Sequence, residues 1–341
     1  MAILRNWSFS AFYLFAELWG SVVLSVLFWG QANACMNIVE AKKYYPLFGI
    51  GANVALLFAG QFMKKASSLA KSLTATGGDA YALTLKMLMT GVLASGGVMV
   101  ACHKFVQERV MTDPECVDAS AARKSKTKTK MTVGESAKFL GSNRYIRNLA
   151  TLVISYGMAI NIVEVTWKGR LRQAFPGATE YSAFLGTFSS VTGACTIAMM
   201  LAGRTILNRL GWGFAALVTP TVLLATGVGF FSLILKPNWW APVASKLGTT
   251  PLMLAVLVGA LQNIMSKSSK YSLFDPCKEM AFIPLGPEEK TKGKAAIDVI
   301  GNPLGKSGGS MIQQILLIGL GSLAAATPYL AAILFGVILM W

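Results

Sequence analysis

Residues 212–235 read WGFAALVTPTVLLATGVGFFSLIL, and none of them is charged. As a helix, at about 1.5 Å per residue, they rise roughly 36 Å. That is enough to cross the roughly 30 Å hydrocarbon core of a bilayer. Ala215, Ala216, Gly227 and Gly229 recur through the stretch, and small residues let helices approach closely in lipid. Eight further stretches have the same character: 10–35, 44–63, 81–103, 146–167, 181–203, 250–266, 295–319 and 323–341. The one at 44–63 is the most interrupted, by Pro46 and three glycines. Of the 341 residues, 54% are hydrophobic and 13% charged, with a mean hydropathy of +0.54. Soluble domains carry roughly 25% charged residues. There is too little polar surface here to wrap soluble cores, so a soluble enzyme, a disordered tail and a fibre are all excluded. The expected fold is an all-α membrane protein with nine spans.

The net charge is +16, from 31 Lys and Arg against 15 Asp and Glu. Loops alternate between the two membrane faces. One face collects twenty of the basic residues and the other ten, with Lys306 left inside a span. The positive-inside rule then puts the amino terminus outside and the carboxyl end inside. The segment 108–140 is polar and contains Lys124-Ser125-Lys126-Thr127-Lys128-Thr129-Lys130. It has no interleaved aromatics, so it reads as a solvated loop near anionic headgroups rather than a nucleic-acid tail. It divides the chain into three helices (1–107), a basic linker (108–140) and a six-helix bundle (141–341). Transporters are commonly built from paired bundles, so three more helices are expected in front of the first three. The five cysteines stand apart and His103 is the only histidine. No zinc site, disulfide framework or other cofactor is expected.

Glu17, Glu164 and Lys306 fall inside spans. A charge at mid-helix costs about 2.5–3.5 kcal/mol on insertion scales. Each therefore either locks two helices as an ion pair or faces a wet cavity. Asn161, Glu164 and Lys168 are three and four apart and share one helix face, the pattern of a lined cavity. Asn53 sits among Gly49, Gly51 and Ala52. Its amide either bonds another helix or matches the donor–acceptor edge of an adenine. In Gly301-Asn302-Pro303-Leu304-Gly305-Lys306-Ser307 a P-loop would need four residues between the glycines, and three are present. Pro303 could instead break the helix and offer a new helix start to an anion. Residues 267–294 read as an inside loop with a gate-like ion-pair network; direct substrate contact is the other reading.

Several strings resemble the ATP/ADP translocases of plastids and obligate intracellular bacteria. They are SFSAFY (8–13) with AELWGSVVLS (16–25), YPLFGIGANVA (45–55), NIVEVTWK (161–168), KGKAAIDV (292–299) and NPLGKSGG (302–309). The resemblance implies a major-facilitator-like bundle of twelve helices, of which this chain holds the fourth to the twelfth as a partial chain. It implies exchange of ATP for ADP in the plastid inner envelope, or else in the inner membrane of an intracellular bacterium. A monomer is expected, with phosphate as a further candidate substrate. The family's charged residues needed for transport match Glu17, Glu164 and Lys306. On this reading Lys306, Arg147 and Lys278 hold phosphates and Asn53 reads the base. Glu17 and Glu164 pair with basic residues while the site is empty. Proton-driven import of several nucleoside triphosphates is the alternative within the family. An ATP-hydrolysing enzyme and a non-transporting membrane remnant are the alternatives outside it.

Overall fold

The computed structural model describes residues 5, 7–20, 27–28, 31–32, 36, 38–74, 77–113 and 132–341. The basic run from Lys124 to Lys130 and much of the first expected span lie outside the described residues. Regular structure among the described residues is entirely helical. The helices are α1 (Trp7–Leu18), α2 (Ile38–Leu73), α3 (Ala80–Phe105), α4 (Val133–Ser142), α5 (Arg144–Ala174), α6 (Ala178–Leu235), α7 (Pro237–Lys246), α8 (Pro251–Ser269), α9 (Asp275–Ala281), α10 (Pro287–Ala296), α11 (Asn302–Leu320) and α12 (Leu323–Met340). π-helical turns occupy Val106–Val110, Lys270–Phe274 and Ile297–Gly301.

Six described helical segments are long and apolar enough to cross a bilayer: Leu47–Leu73, Ala80–Val110, Arg144–Ala174, Ala178–Leu235, Pro251–Ala281 and Leu323–Met340. The chain is therefore a multi-pass, all-α membrane protein. Side chains such as Leu339 on the last of these segments are largely exposed, as apolar residues of a spanning helix are expected to be toward lipid. The 58 residues of α6 would rise about 87 Å as one rod, nearly three times the bilayer core. The helix is broken at Gly211, whose φ of 80° and ψ of 172° lie where only glycine is comfortable. Sequence spacing places a loop over 204–211. The structure instead continues the helix to Leu210 and turns at a single residue. α2 likewise runs 36 residues straight through Pro46. The segment 267–294, expected as a loop, is helical over most of its length: α8 passes through a π-helical turn into α9, and α10 follows. Its charges sit on helix faces, so regular structure is compatible with their density.

The chain forms two compact units, Met1–Gly49 with Met89–Lys128, and Ile50–Leu88 with Thr129–Trp341. In the first, Phe28 meets Phe48 edge-on at 5.5 Å, and the Gln107 side chain donates to Gln31 Oε1 at 3.2 Å. In the second, α5 packs on α8, α11 and α12, and α8 packs on α6. Trp167 is fully buried, its indole N–H donating to Val256 O at 2.9 Å and its ring 4.7 Å from Phe188.

α4 begins with a capping box. The Thr132 N–H donates to Glu135 Oε2 at 2.8 Å, and the Glu135 N–H donates to Thr132 Oγ1 at 3.3 Å. The bond from the Thr132 backbone, then that from its hydroxyl, holds the Glu135 carboxyl below its ordinary range. A lowered carboxylate stabilises the fold above its unfolded pKa and loses that contribution as pH falls through the folded value. Acidification below about pH 4 should therefore fray this turn. Amide hydrogen exchange at 133–136, corrected for intrinsic rates, should accelerate in the native chain but stay unchanged in Glu135→Gln.

Candidate functional site

The site is built around one close helix contact. A Cβ placed on Gly157 of α5 would lie 2.7 Å from the Cα of Gly305 on α11. One turn along, a Cβ on Gly309 would lie 3.0 Å from the Asn161 Cβ. Gly305 and Gly309 form a small-residue seam that brings two backbones together in lipid. Asn161 seals the seam: Gln313 Nε2 donates to its Oδ1 at 3.1 Å and to its backbone O at 3.2 Å. Ser310 Oγ donates to Asn161 Oδ1 at 3.3 Å.

Beside this seam the second unit encloses a cavity of about 540 Å³. α5 lines it with Val153, Tyr156, Gly157, Ile160, Asn161 and Glu164. The π-helical turn Lys270–Phe274 adds Lys270 and Phe274, α9 adds Asp275 and Lys278, and α11 adds Asn302 and Lys306. Three lysines thus face two carboxylates in a void among membrane helices. Glu164 pairs with Lys168 at 2.9 Å and with Lys267 of α8 at 3.6 Å. Lys270 pairs with Asp275 at 2.7 Å. Lys278 lies 3.9 Å from Glu279, which also pairs with Lys294. Lys306 is exposed, and its ammonium enters none of the ion pairs formed among the described residues. Phe274 stacks on Tyr156 at 5.4 Å and meets Trp341 edge-on at 5.4 Å, giving the cavity one rigid aromatic wall.

Of the residues singled out from sequence, the structure brings Asn161, Glu164, Lys278 and Lys306 together in this cavity. Arg147 lies near the start of α5, exposed, with Nη1 donating to Gly141 O at 3.3 Å; it is not among the lining residues. Asn53 lies on α2, its amide nitrogen 3.8 Å from Met200 Sδ, also away from this cavity. Glu17 belongs to α1 in the first unit, and its side chain lies outside the described residues. Pro303 does not open a new helix start. Gly301 and Asn302 keep right-handed helical angles, so a π-helical turn carries the backbone into α11 without freeing its N–H groups. Lys306 therefore brings the cavity its own charge, with no helix terminus beside it. Tyr156, Lys270, Asp275 and Asn302 are the polar lining residues to which the sequence assigned no role. Lys270 and Asp275 were visible as members of a charge-dense segment; their signal was diluted by charges on other helix faces. π-helical turns concentrate at functional sites, and the one at Lys270–Phe274 supplies two of the residues that line this cavity.

A family model described as TLC ATP/ADP transporter matches residues 1–341. The chain is 55% identical over 341 residues to the ADP,ATP carrier protein 1, chloroplastic, of Arabidopsis thaliana, covering 100% of this chain and 54% of the relative. It is 51% identical over 342 residues to the ADP,ATP carrier protein 1 of Chlamydia muridarum, covering 100% of this chain and 64% of the relative. With the ADP,ATP carrier protein 1 of Rickettsia prowazekii it shares 37% identity over 346 residues, covering 99% and 68%. The chain spans about half the length of the plant relatives it matches. No solved structure matches it.

Proposed function

The chain belongs to the TLC ATP/ADP transporter family, and on that premise we propose that it exchanges ATP for ADP across a membrane by alternating access. The observation that carries the proposal is the cavity: about 540 Å³ between α11 and the candidate spans Arg144–Ala174 and Pro251–Ala281, with Lys270, Lys278 and Lys306 facing Glu164 and Asp275. Its volume falls in the range of small-molecule sites. Lys306 and Lys278 bind phosphates, while Glu164 holds Lys168 and Lys267 until the nucleotide arrives. The empty cavity carries surplus positive charge, which is costly to move through a bilayer. A polyphosphate neutralises it, so the loaded carrier reorients more readily than the empty one, and exchange follows. Arg147 and Asn53 meet the nucleotide at other stages of the cycle on this reading, and Glu17 keeps its role as an acidic counter-ion. No bond is made or broken; the carrier is not a hydrolase. The proposed setting is a monomer in the plastid inner envelope, of which the plant relatives' names support the plastid, with the inner membrane of an intracellular bacterium as the alternative.

The test is counter-transport. The purified chain in liposomes should take up labelled ATP at least about tenfold faster into ADP-loaded vesicles than into empty ones. Equal rates would remove the exchange reading.

A further inference from the structure

Lys270 and Asp275 are joined twice. The Asp275 N–H donates to Lys270 O in the i→i+5 pattern of a π-helical turn, and Lys270 Nζ donates to Asp275 Oδ2 at 2.7 Å. In an α-helix, residues five apart point about 140° away from each other. The π-helical turn is what allows this pair, and the pair in turn favours the π-helical turn. The ammonium also lies over the rings of Tyr271, at 4.4 Å, and Tyr156, at 5.7 Å. Both partners line the cavity, and about a quarter to a third of each side chain is exposed (25% and 31%). The carboxylate thus occupies a lysine that would otherwise face the void as a bare cation.

We propose that Lys270 is a phosphate-binding side chain held in reserve by Asp275, and that an incoming polyphosphate takes the ammonium over. The inference rests on the exchange reading and deepens it at the same cavity. Asp275 then competes with the substrate for one cation. It keeps the empty cavity's surplus charge down, and it weakens substrate binding by the work of breaking the pair. When Lys270 turns to the phosphate, the side-chain bond that favours the π-helical turn is lost. The turn at 270–274 is then free to tighten toward α geometry, which rotates α9 and Lys278 with it. An internal carboxylate serving as a stand-in for phosphate would make this lysine a sensor of cavity occupancy.

The experiment is equilibrium binding of labelled ATP, ADP, AMP and adenosine to the detergent-solubilised chain. It compares the native sequence, Asp275→Asn, Lys270→Gln, Lys270→Arg and the double variant. Asp275→Asn should tighten ATP binding about three- to tenfold. Lys270→Gln should weaken it about tenfold, as expected for a lost charge-assisted hydrogen bond, and Lys270→Arg should restore most of it. The effects should shrink from ATP to AMP and vanish for adenosine. The double variant should match Lys270→Gln, because Asp275 acts only through that lysine. ATP binding by the native chain that is unchanged in Asp275→Asn and Lys270→Gln overturns the inference and leaves the exchange reading standing. So does weakening by Asp275→Asn that is equal for ATP and adenosine. Absence of ATP binding by the native chain overturns the exchange reading itself.

Discussion

Replacing Lys306 with alanine is expected to weaken ATP binding about 10- to 100-fold, the scale of one charged hydrogen bond worth about 1.5–3 kcal/mol, and to abolish measurable exchange. The reason lies in its surroundings. Glu164 is already bridged to Lys168 and Lys267, and Lys270 to Asp275. Lys306 enters no ion pair among the described residues, yet it lines the same void. A cation left without a counter-ion inside a membrane protein is costly unless its partner is a ligand. The alanine variant should therefore unfold at an unchanged or slightly higher temperature while losing binding. That split separates a ligand contact from a structural lock, which would lose both. Lys306→Arg keeps the charge but presents a planar fork in place of a compact ammonium, so it should recover binding better than turnover. Full exchange by the alanine variant in ADP-loaded liposomes would exclude a phosphate role.

The largest effect on stability should come from Gly157→Leu. Even its Cβ would lie 2.7 Å from the Gly305 Cα and 2.8 Å from the Gly305 carbonyl carbon. Those atoms belong to backbone, so the neighbour cannot rotate away. Overpacking typically costs about 1–3 kcal/mol when side chains can yield; here the helices must separate, and about 3 kcal/mol or more is expected. Separation would also break the Asn161 bonds to Gln313 and widen the cavity. The matched control is Gly336→Ala on α12, where a Cβ meets nothing within 4 Å. It should be neutral or stabilise by about 0.4–1 kcal/mol. Thermal unfolding in detergent reads both variants, and a Gly157→Leu midpoint equal to the control's would refute the seam as the organiser of the site.

Much of the architecture could be read from hydropathy alone. The spans at 81–103, 250–266 and 323–341 match observed helices to within a few residues, 146–167 falls inside Arg144–Ala174, and 212–235 is the part of α6 after Gly211. A bilayer enforces internally satisfied backbone, so long apolar runs leave little choice. Breaks between helices were harder. Gly211 ends a helix by backbone geometry, while Arg204 and Arg209 suggest a loop that is not there. Pro46 and Pro303 suggest breaks, yet helix passes through both. The cavity was legible where a lone charge interrupts a greasy run, as at Glu164 and Lys306. Lys270 and Asp275 were not picked out, because their pairing depends on a π-helical register that no periodicity of 3.6 or 2 announces. Tyr156 and Asn302 carry no distinguishing signal in a single sequence.

α11 was absent from the six segments apolar enough to cross a bilayer unaided. Asn302, Lys306, Gln313 and Gln314 account for this, and the first three sit in the cavity or against Asn161. During synthesis such a segment gains little by partitioning into lipid alone. Its packing against α5 at Gly157 turns its polar side to Asn161 and the cavity instead. The polarity that lines the cavity thus ties the insertion of α11 to α5 already standing in the bilayer.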